Sequence, residues 1–224
     1  PGVKALSDVS FTVRKGEIHV IAGENGAGKS TLMKILSGSY QRDSGEIIID
    51  GVAIGHNSIK EAEEHGIAII YQELNLMKNL TVAENLFVGR QPLKSGLVNW
   101  RQIQSDARSL LAKLAIPISD VNAKVRTLSI AQQQMVEIAK AVGRDMKLVI
   151  MDEPTSSLTT KETDMLFSIM RDLKSRGVSV IFITHRLDEI FAISDRITVM
   201  RDGCHIETVN TPDIDKSRLI ELMV

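Results

Sequence analysis

Eight consecutive residues, Gly23-Glu24-Asn25-Gly26-Ala27-Gly28-Lys29-Ser30, combine three glycines with a cation and a hydroxyl. Glycines let successive backbone N–H groups turn inward and form a nest for an anion. The order Gly-x-x-x-x-Gly-Lys-Ser is that of a loop which cradles nucleotide phosphates; in it Lys29 reaches the β- and γ-phosphates and Ser30 offers its hydroxyl to Mg2+. A triphosphate needs many donors at once, and a helix starting at the loop adds unpaired N–H groups and a positive dipole end. The pattern arises by accident in roughly one chain in a hundred of this length, so its context has to decide.

A second group is Asp152-Glu153, directly after the apolar run Leu148-Val149-Ile150-Met151. Two carboxylates closing a buried strand are costly unless a cation or a proton transfer uses them. Beside a phosphate loop, Asp152 is placed to hold Mg2+ through its water shell. Glu153 is placed to polarise a water that attacks the γ-phosphate. The ordinary alternative is a solvated turn, and the loop at Gly23–Ser30 weighs against it.

These residues need elements to place them. Glu17–Ala22 is mostly apolar and predicts a buried strand ahead of the loop. Thr31–Leu36 predicts the first turns of a helix after it, with Gly38 as its stop. Val9, Phe11 and Val13 alternate with polar residues and predict a half-buried strand. Ile47-Ile48-Ile49 predicts another, and Asp50-Gly51 signals a hairpin. Ser58 and Glu61 are spaced as a capping box for a short helix stopping at Gly66. Ile67–Tyr71 is a buried strand that ends at Gln72.

From about Leu74 to Met146 no convincing strand is found. Thr81 and Glu84 cap one helix. Ile103, Ala107, Leu110, Leu111 and Leu114 recur at helical spacing on a second, which Pro117 ends. Met135, Ile138, Ala139 and Val142 form the apolar face of a third. Strand and helix then alternate again: Leu148–Met151, a helix capped by Thr159 and Glu162, the buried strand Val178–Ile183, a helix at Leu187–Ile193, and a closing hairpin around Asp202-Gly203. Alternating buried strands and helices imply a mostly parallel sheet. The expected fold is α/β: a P-loop core with a mostly parallel sheet, an antiparallel β portion and an inserted helical subdomain. The core takes residues 1–73 and 147–224, and the helical subdomain residues 74–146.

The balance of 27 Lys and Arg against 28 Asp and Glu gives a formal net charge of −1. That argues against a general nucleic-acid or anionic-membrane surface, which needs a basic excess. A single cysteine, Cys204, cannot form an internal disulfide. No run approaches the roughly 18 apolar residues of a membrane span. The chain opens on Pro1 and closes on Leu222-Met223-Val224, and it reads as a domain of a longer polypeptide.

Gly23–Thr31, Gln72, Leu128-Ser129-Ile130-Ala131-Gln132, Asp152-Glu153-Pro154-Thr155 and His185 occur in the order of the ABC transporter ATPase family. The resemblance covers essentially the whole chain. Ile70–Asn75 and Ala131–Lys140 narrow it to the first ATPase domain of the tandem subunits of bacterial monosaccharide importers, of the ribose, xylose and galactose type. It implies a P-loop, RecA-like nucleotide-binding core that binds and hydrolyses Mg-ATP to drive a membrane permease. Gly23, Glu24, Asn25, Gly26, Ala27, Gly28, Lys29, Ser30 and Thr31 would hold the nucleotide. Ser30, Gln72 and Asp152 would meet Mg2+, and Glu153, His185 and Gln72 would carry the chemistry. Alone, Gln72 would read as a polar strand end and His185 as a surface or core histidine.

The resemblance also implies partners. Ser129 would reach the nucleotide of a second ATPase domain in a head-to-tail sandwich. A permease would dock near Gln72 to Lys78, served indirectly by a periplasmic sugar-binding protein. The place would be the cytoplasmic face of the bacterial inner membrane, peripherally. Three departures stand out. Ile130 and Ala131 replace the family's usual two glycines, add bulk there, and imply that this chain's own signature covers a weaker site. The loop after the acids reads Ser156-Ser157-Leu158-Thr159, where the family usually has an Asp. The adenine-stacking aromatic falls about one residue before Pro1. Two other classes stay open: an ABC ATPase acting on the ribosome or in DNA repair, against which the near-neutral charge counts, and a weakly hydrolysing nucleotide switch, against which Glu153 and His185 count.

Overall fold

A computed structural model describes residues 4–55, 58–143 and 146–224, so the expectation attached to Pro1 lies outside the described residues. Two compact units emerge: Pro1–Ile69 with Met146–Glu153 and Met170–Val224, and Ile70–Asp145 with Pro154–Ile169.

In the first unit, Ile18–Ala22 (β1) is buried at every position. A tight loop follows, then the helix Lys29–Leu36 (α1), closed by Ser37 and by Gly38 at φ 73°. Ile47–Ile49 (β2) and Val52–Ile54 (β3) form an antiparallel hairpin. Its turn residues Asp50 and Gly51 both have positive φ, as a two-residue turn matching strand twist requires. Ile59–Glu64 (α2) starts at Ser58, whose hydroxyl accepts the Glu61 N–H. Ile67–Ile70 (β4) follows. The expected strand at Val9–Val13 is absent. Burial does alternate there, half-buried at Val9, Phe11 and Val13 and exposed between them, but no ladder forms. Instead Phe11 stacks on the His19 ring, and the Thr12 carbonyl accepts from Arg196.

In the second unit, Val82–Phe87 (α3) begins with a complete capping box between Thr81 and Glu84. Leu93–Lys94 (β5) and Leu97–Val98 (β6) pair as a two-residue hairpin around Ser95-Gly96. This corrects the expectation of no strand between 74 and 146; strands so short leave no periodicity to read. Trp100–Lys113 (α4) buries Ile103, Ala107 and Leu111, as the spacing predicts. Its end is set earlier than Pro117. Ala115 takes the left-handed region at φ 54°, and Ile116 N–H returns to the Leu111 carbonyl, closing the helix as a glycine usually does. Ile130–Val142 (α5) is capped by Ser129 and Gln132 acting on each other. Arg90 donates to the Leu86 carbonyl of α3 and to the carbonyl of Gly143 just past α5, closing two helix ends with one cation.

Leu148–Asp152 (β7), Thr160–Ser175 (α6), Ser179–Ile183 (β8), Leu187–Ile193 (α7), Arg196–Arg201 (β9), Cys204–Asn210 (β10) and Lys216–Met223 (α8) complete the chain. The main sheet runs β10-β9-β1-β8-β7-β4. β1 pairs in parallel with β8 and β9, and β7 pairs in parallel with β8. β10 closes the edge antiparallel to β9 through Asp202-Gly203. Ile21, Leu32, Met33, Ile150, Ile181 and Ile183 anchor the core under the loop. Full burial of each such side chain contributes about 1.5–3 kcal/mol.

Candidate functional site

Parallel pairing puts the C-terminal ends of β1, β8 and β7 along one edge. The phosphate-loop sequence follows β1, Asp152 ends β7 with Glu153 just after it, and Thr184-His185 follow β8. Ligands of open α/β sheets bind outside these ends.

The loop is shaped by glycines at two close approaches. At Gly23 a Cβ would lie 2.2 Å from the Met200 carbonyl oxygen. At Gly28, with φ 94°, it would lie 2.7 Å from Leu6. Gly28 is the N-cap of α1 and provides no side-chain cap, so the first-turn N–H groups have no side-chain acceptor from that position. The Lys29 side chain folds back through the loop and donates to the carbonyls of Gly23 at 2.8 Å and Glu24 at 2.9 Å. An ammonium has three N–H donors, and these bonds use two. Burial pushes the Lys29 pKa down, while the charges of Glu153 and Asp152 pull it back up. Glu24, Asn25, Gly26 and Ser30 are exposed and Thr31 is half-buried, while Ala27 packs into the core.

Asp152 is pushed above the usual carboxylate range, first by burial and then by the charge of Glu153; Lys29 and Lys34 oppose this. Glu153 has φ 45°, the left-handed region, where a residue with a Cβ is strained by roughly 1–2 kcal/mol. Its N–H donates to the Ile183 carbonyl, tying the ends of β7 and β8. Its carboxylate accepts from His185 Nδ1 at 3.0 Å. The carboxylate is 20% exposed and the imidazole 60%, so the pair opens to water on the histidine side.

Gln72 and Ser129 belong to the second unit. Gln72 is an exposed bend residue just past β4. Ser129 is exposed at the N-cap of α5, and its hydroxyl accepts the Gln132 N–H. Ile130 is 60% exposed, whereas Ala131 is buried. The segment after Gln72 is held by side chains: Asn85 on α3 accepts from Met77 N–H and donates to the Met77 carbonyl. Sequence reasoning missed Asn85, and it missed Glu189, a carboxylate four residues after His185 on the buried side of α7. The signal was there in both cases, a polar residue inside an apolar helix pattern.

The sequence profile of the ABC transporter family matches residues 6–156. The chain belongs to the ABC transporter family. It is 51% identical to the xylose import ATP-binding protein of Thermoanaerobacter pseudethanolicus, over all of this chain and 45% of that protein. It is 49% identical to a ribose import ATP-binding protein of Streptomyces avermitilis, over all of this chain and 42% of that one. It therefore spans less than half the length of these curated relatives. A solved ABC cassette in its ADP conformation superposes with TM-score 0.83 at 27% identity, over 97% of this chain and 91% of that one. A dimeric bacterial ABC transporter cassette gives 0.79 at 25% identity, over 92% and 90%. The α/β architecture with its mostly parallel sheet is thus that of an ABC cassette.

Proposed function

We propose that this domain binds ATP with Mg2+ and hydrolyses it, and that the longer protein uses the hydrolysis to drive a permease importing a monosaccharide. The observation that carries the reading is the convergence of the glycine loop, Lys29, Asp152, Glu153 and His185 on one edge of a parallel sheet. The names of the relatives support the sugar.

The loop residues Gly23 to Thr31 offer backbone N–H groups and one buried cation to a triphosphate, a donor set that suits oxyanions. Magnesium also fits the residues present. Burial first and the charge of Glu153 second push the Asp152 pKa up, and a bound cation would offset both. Among the described residues no three or more His, Cys, Asp or Glu gather into a cage for a metal ion. That suits Mg2+, which is held by one or two carboxylates together with substrate phosphates. Asp152 and the Ser30 hydroxyl would hold it. When bound, Mg2+ neutralises phosphate charge. Glu153 accepts a proton from the attacking water and His185 orients that carboxylate.

Ser129 would contact the nucleotide of a second cassette, and the dimeric solved cassette supports such pairing. Residues 74–146 are read as a helical insertion between core parts 1–73 and 147–224, with the permease near Gln72 to Lys78. The domain would lie peripherally at the cytoplasmic face of the inner membrane, a periplasmic sugar-binding protein acting on the far side. Among the described residues no helix is long and apolar enough to cross a membrane.

The test is Glu153→Gln in the full-length protein. ATP binding should stay within about twofold and turnover should fall about 10²–10⁴-fold. Turnover near wild type would remove Glu153 from the base role and leave His185 as the candidate.

A further inference from the structure

His185 sits on a turn whose two flanks are held by one buried carboxylate. Glu189, only 4% exposed, accepts the Thr184 hydroxyl at its Oε2, 2.8 Å away. Its Oε1 meets the Arg186 guanidinium at 2.6 Å. The Thr184 oxygen in turn accepts the Arg186 N–H at 3.1 Å, so the hydroxyl both donates and accepts and is fixed in one rotamer. The Glu189 N–H returns to the Arg186 carbonyl at 3.0 Å. His185 is thus bracketed at residues 184 and 186, while its own ring projects outward to Glu153.

A simpler role for Glu189 would be to cap α7. α7 has no side-chain cap, and the Glu189 oxygens meet the Thr184 hydroxyl and the guanidinium of Arg186, the N-cap residue itself. Burying a carboxylate is costly until partners offset it. The Thr184 contact needs one acceptor at this position, and the second oxygen adds an ion pair with Arg186.

We propose that Glu189 is a positioning residue, which through Thr184 and Arg186 holds the backbone of His185 so that its Nδ1 meets Glu153. The consequence for turnover rests on the hydrolytic role proposed for His185. The variants are Glu189→Ala, Glu189→Gln, Thr184→Val, His185→Ala and the Glu189→Ala, His185→Ala double, all in the full-length protein. Two readouts are followed: kcat and KM for ATP, and the nitrogen resonances of the labelled His185 ring.

Glu189→Ala and Thr184→Val should each lower kcat about tenfold with KM within about twofold, the pattern of a lost transition-state interaction. Glu189→Gln keeps an acceptor for Thr184 and should stay within about threefold of wild type. In the His185→Ala background, Glu189→Ala should cost less than about twofold more, because the two act as one unit. The His185 Nδ1 resonance should move toward its solvent-exposed position in Glu189→Ala and not in Glu189→Gln. Fully additive losses, or an unmoved His185 resonance, would overturn the proposal. Should Glu189→Ala fail to fold, Thr184→Val removes the same hydroxyl without removing a charge and decides in its place. If His185→Ala itself leaves kcat unchanged, the hydrolytic role of His185 falls, and the ring resonance alone decides whether Glu189 positions it.

Discussion

Asp152 is more stable protonated than an ordinary aspartate, because burial and Glu153 both disfavour its charge. Its folded pKa lies above its unfolded one. The protonated form therefore contributes stability that is fully present below the unfolded pKa and is lost as pH rises through the folded pKa. At neutral pH the ionised carboxylate destabilises the magnesium-free fold. Asp152→Asn should then raise Tm in EDTA at pH 7, and the gain should shrink and vanish as pH falls below the ordinary carboxylate range. With Mg2+ and a non-hydrolysable ATP analogue present, wild type should gain more than the variant. Thermal melts across pH check both statements; a Tm gain independent of pH would remove the charge argument. This residue and Glu153 were legible because their chemistry is written in adjacent letters after an apolar run. The left-handed backbone of Glu153 was not, because no local preference of glutamate points there.

Among the elements, the segment between β4 and α3 is held by backbone bonds to Val125 and Arg126 and by one side chain. Asn85, 1% exposed, makes bonds to Met77 N–H, to the Met77 carbonyl and to the Thr81 carbonyl. Asn85→Ala would leave three backbone groups without that partner. Each unsatisfied buried group costs about 1–3 kcal/mol, so the loss should reach at least about 2 kcal/mol in urea unfolding. Amide exchange at Met77 should speed up, and α4 should be unaffected. Capping residues were readable at this scale: Thr81 with Glu84 and Thr159 with Glu162 pair as their spacing predicts. The strand expected at Val9–Val13 was not, because period-two burial reports a half-buried surface and not a ladder partner. The helix end at Ala115 was misplaced to Pro117 for a related reason: tertiary packing put an alanine where local rules expect glycine.

For the assembled molecule, the departures at Ile130 and Ala131 separate into two. The Ile130 side chain is exposed, while Ala131 is buried. Only Ile130 therefore presents bulk to a partner cassette. If the proposed sandwich forms, Ile130→Gly should raise turnover at the nucleotide site it covers in the full-length protein. Ala131→Gly should not, and in the first turn of α5 should cost at most about 1 kcal/mol. Equal gains from both would show that the helix start repacks on pairing. Steady-state ATPase rates with single-site knockouts at Lys29 assign the turnover to one site.

The position of β1 has a consequence during synthesis. Ile18 pairs with Val180 and Val20 with Ile197, so this apolar strand waits for about 160 residues before its first ladder neighbour leaves the ribosome. At about 5–20 residues per second the wait is on the order of ten to thirty seconds. Through that interval the nascent chain exposes Ile18, Val20 and Ile21, and the phosphate loop hangs from an unpaired strand until β8 and then β9 emerge.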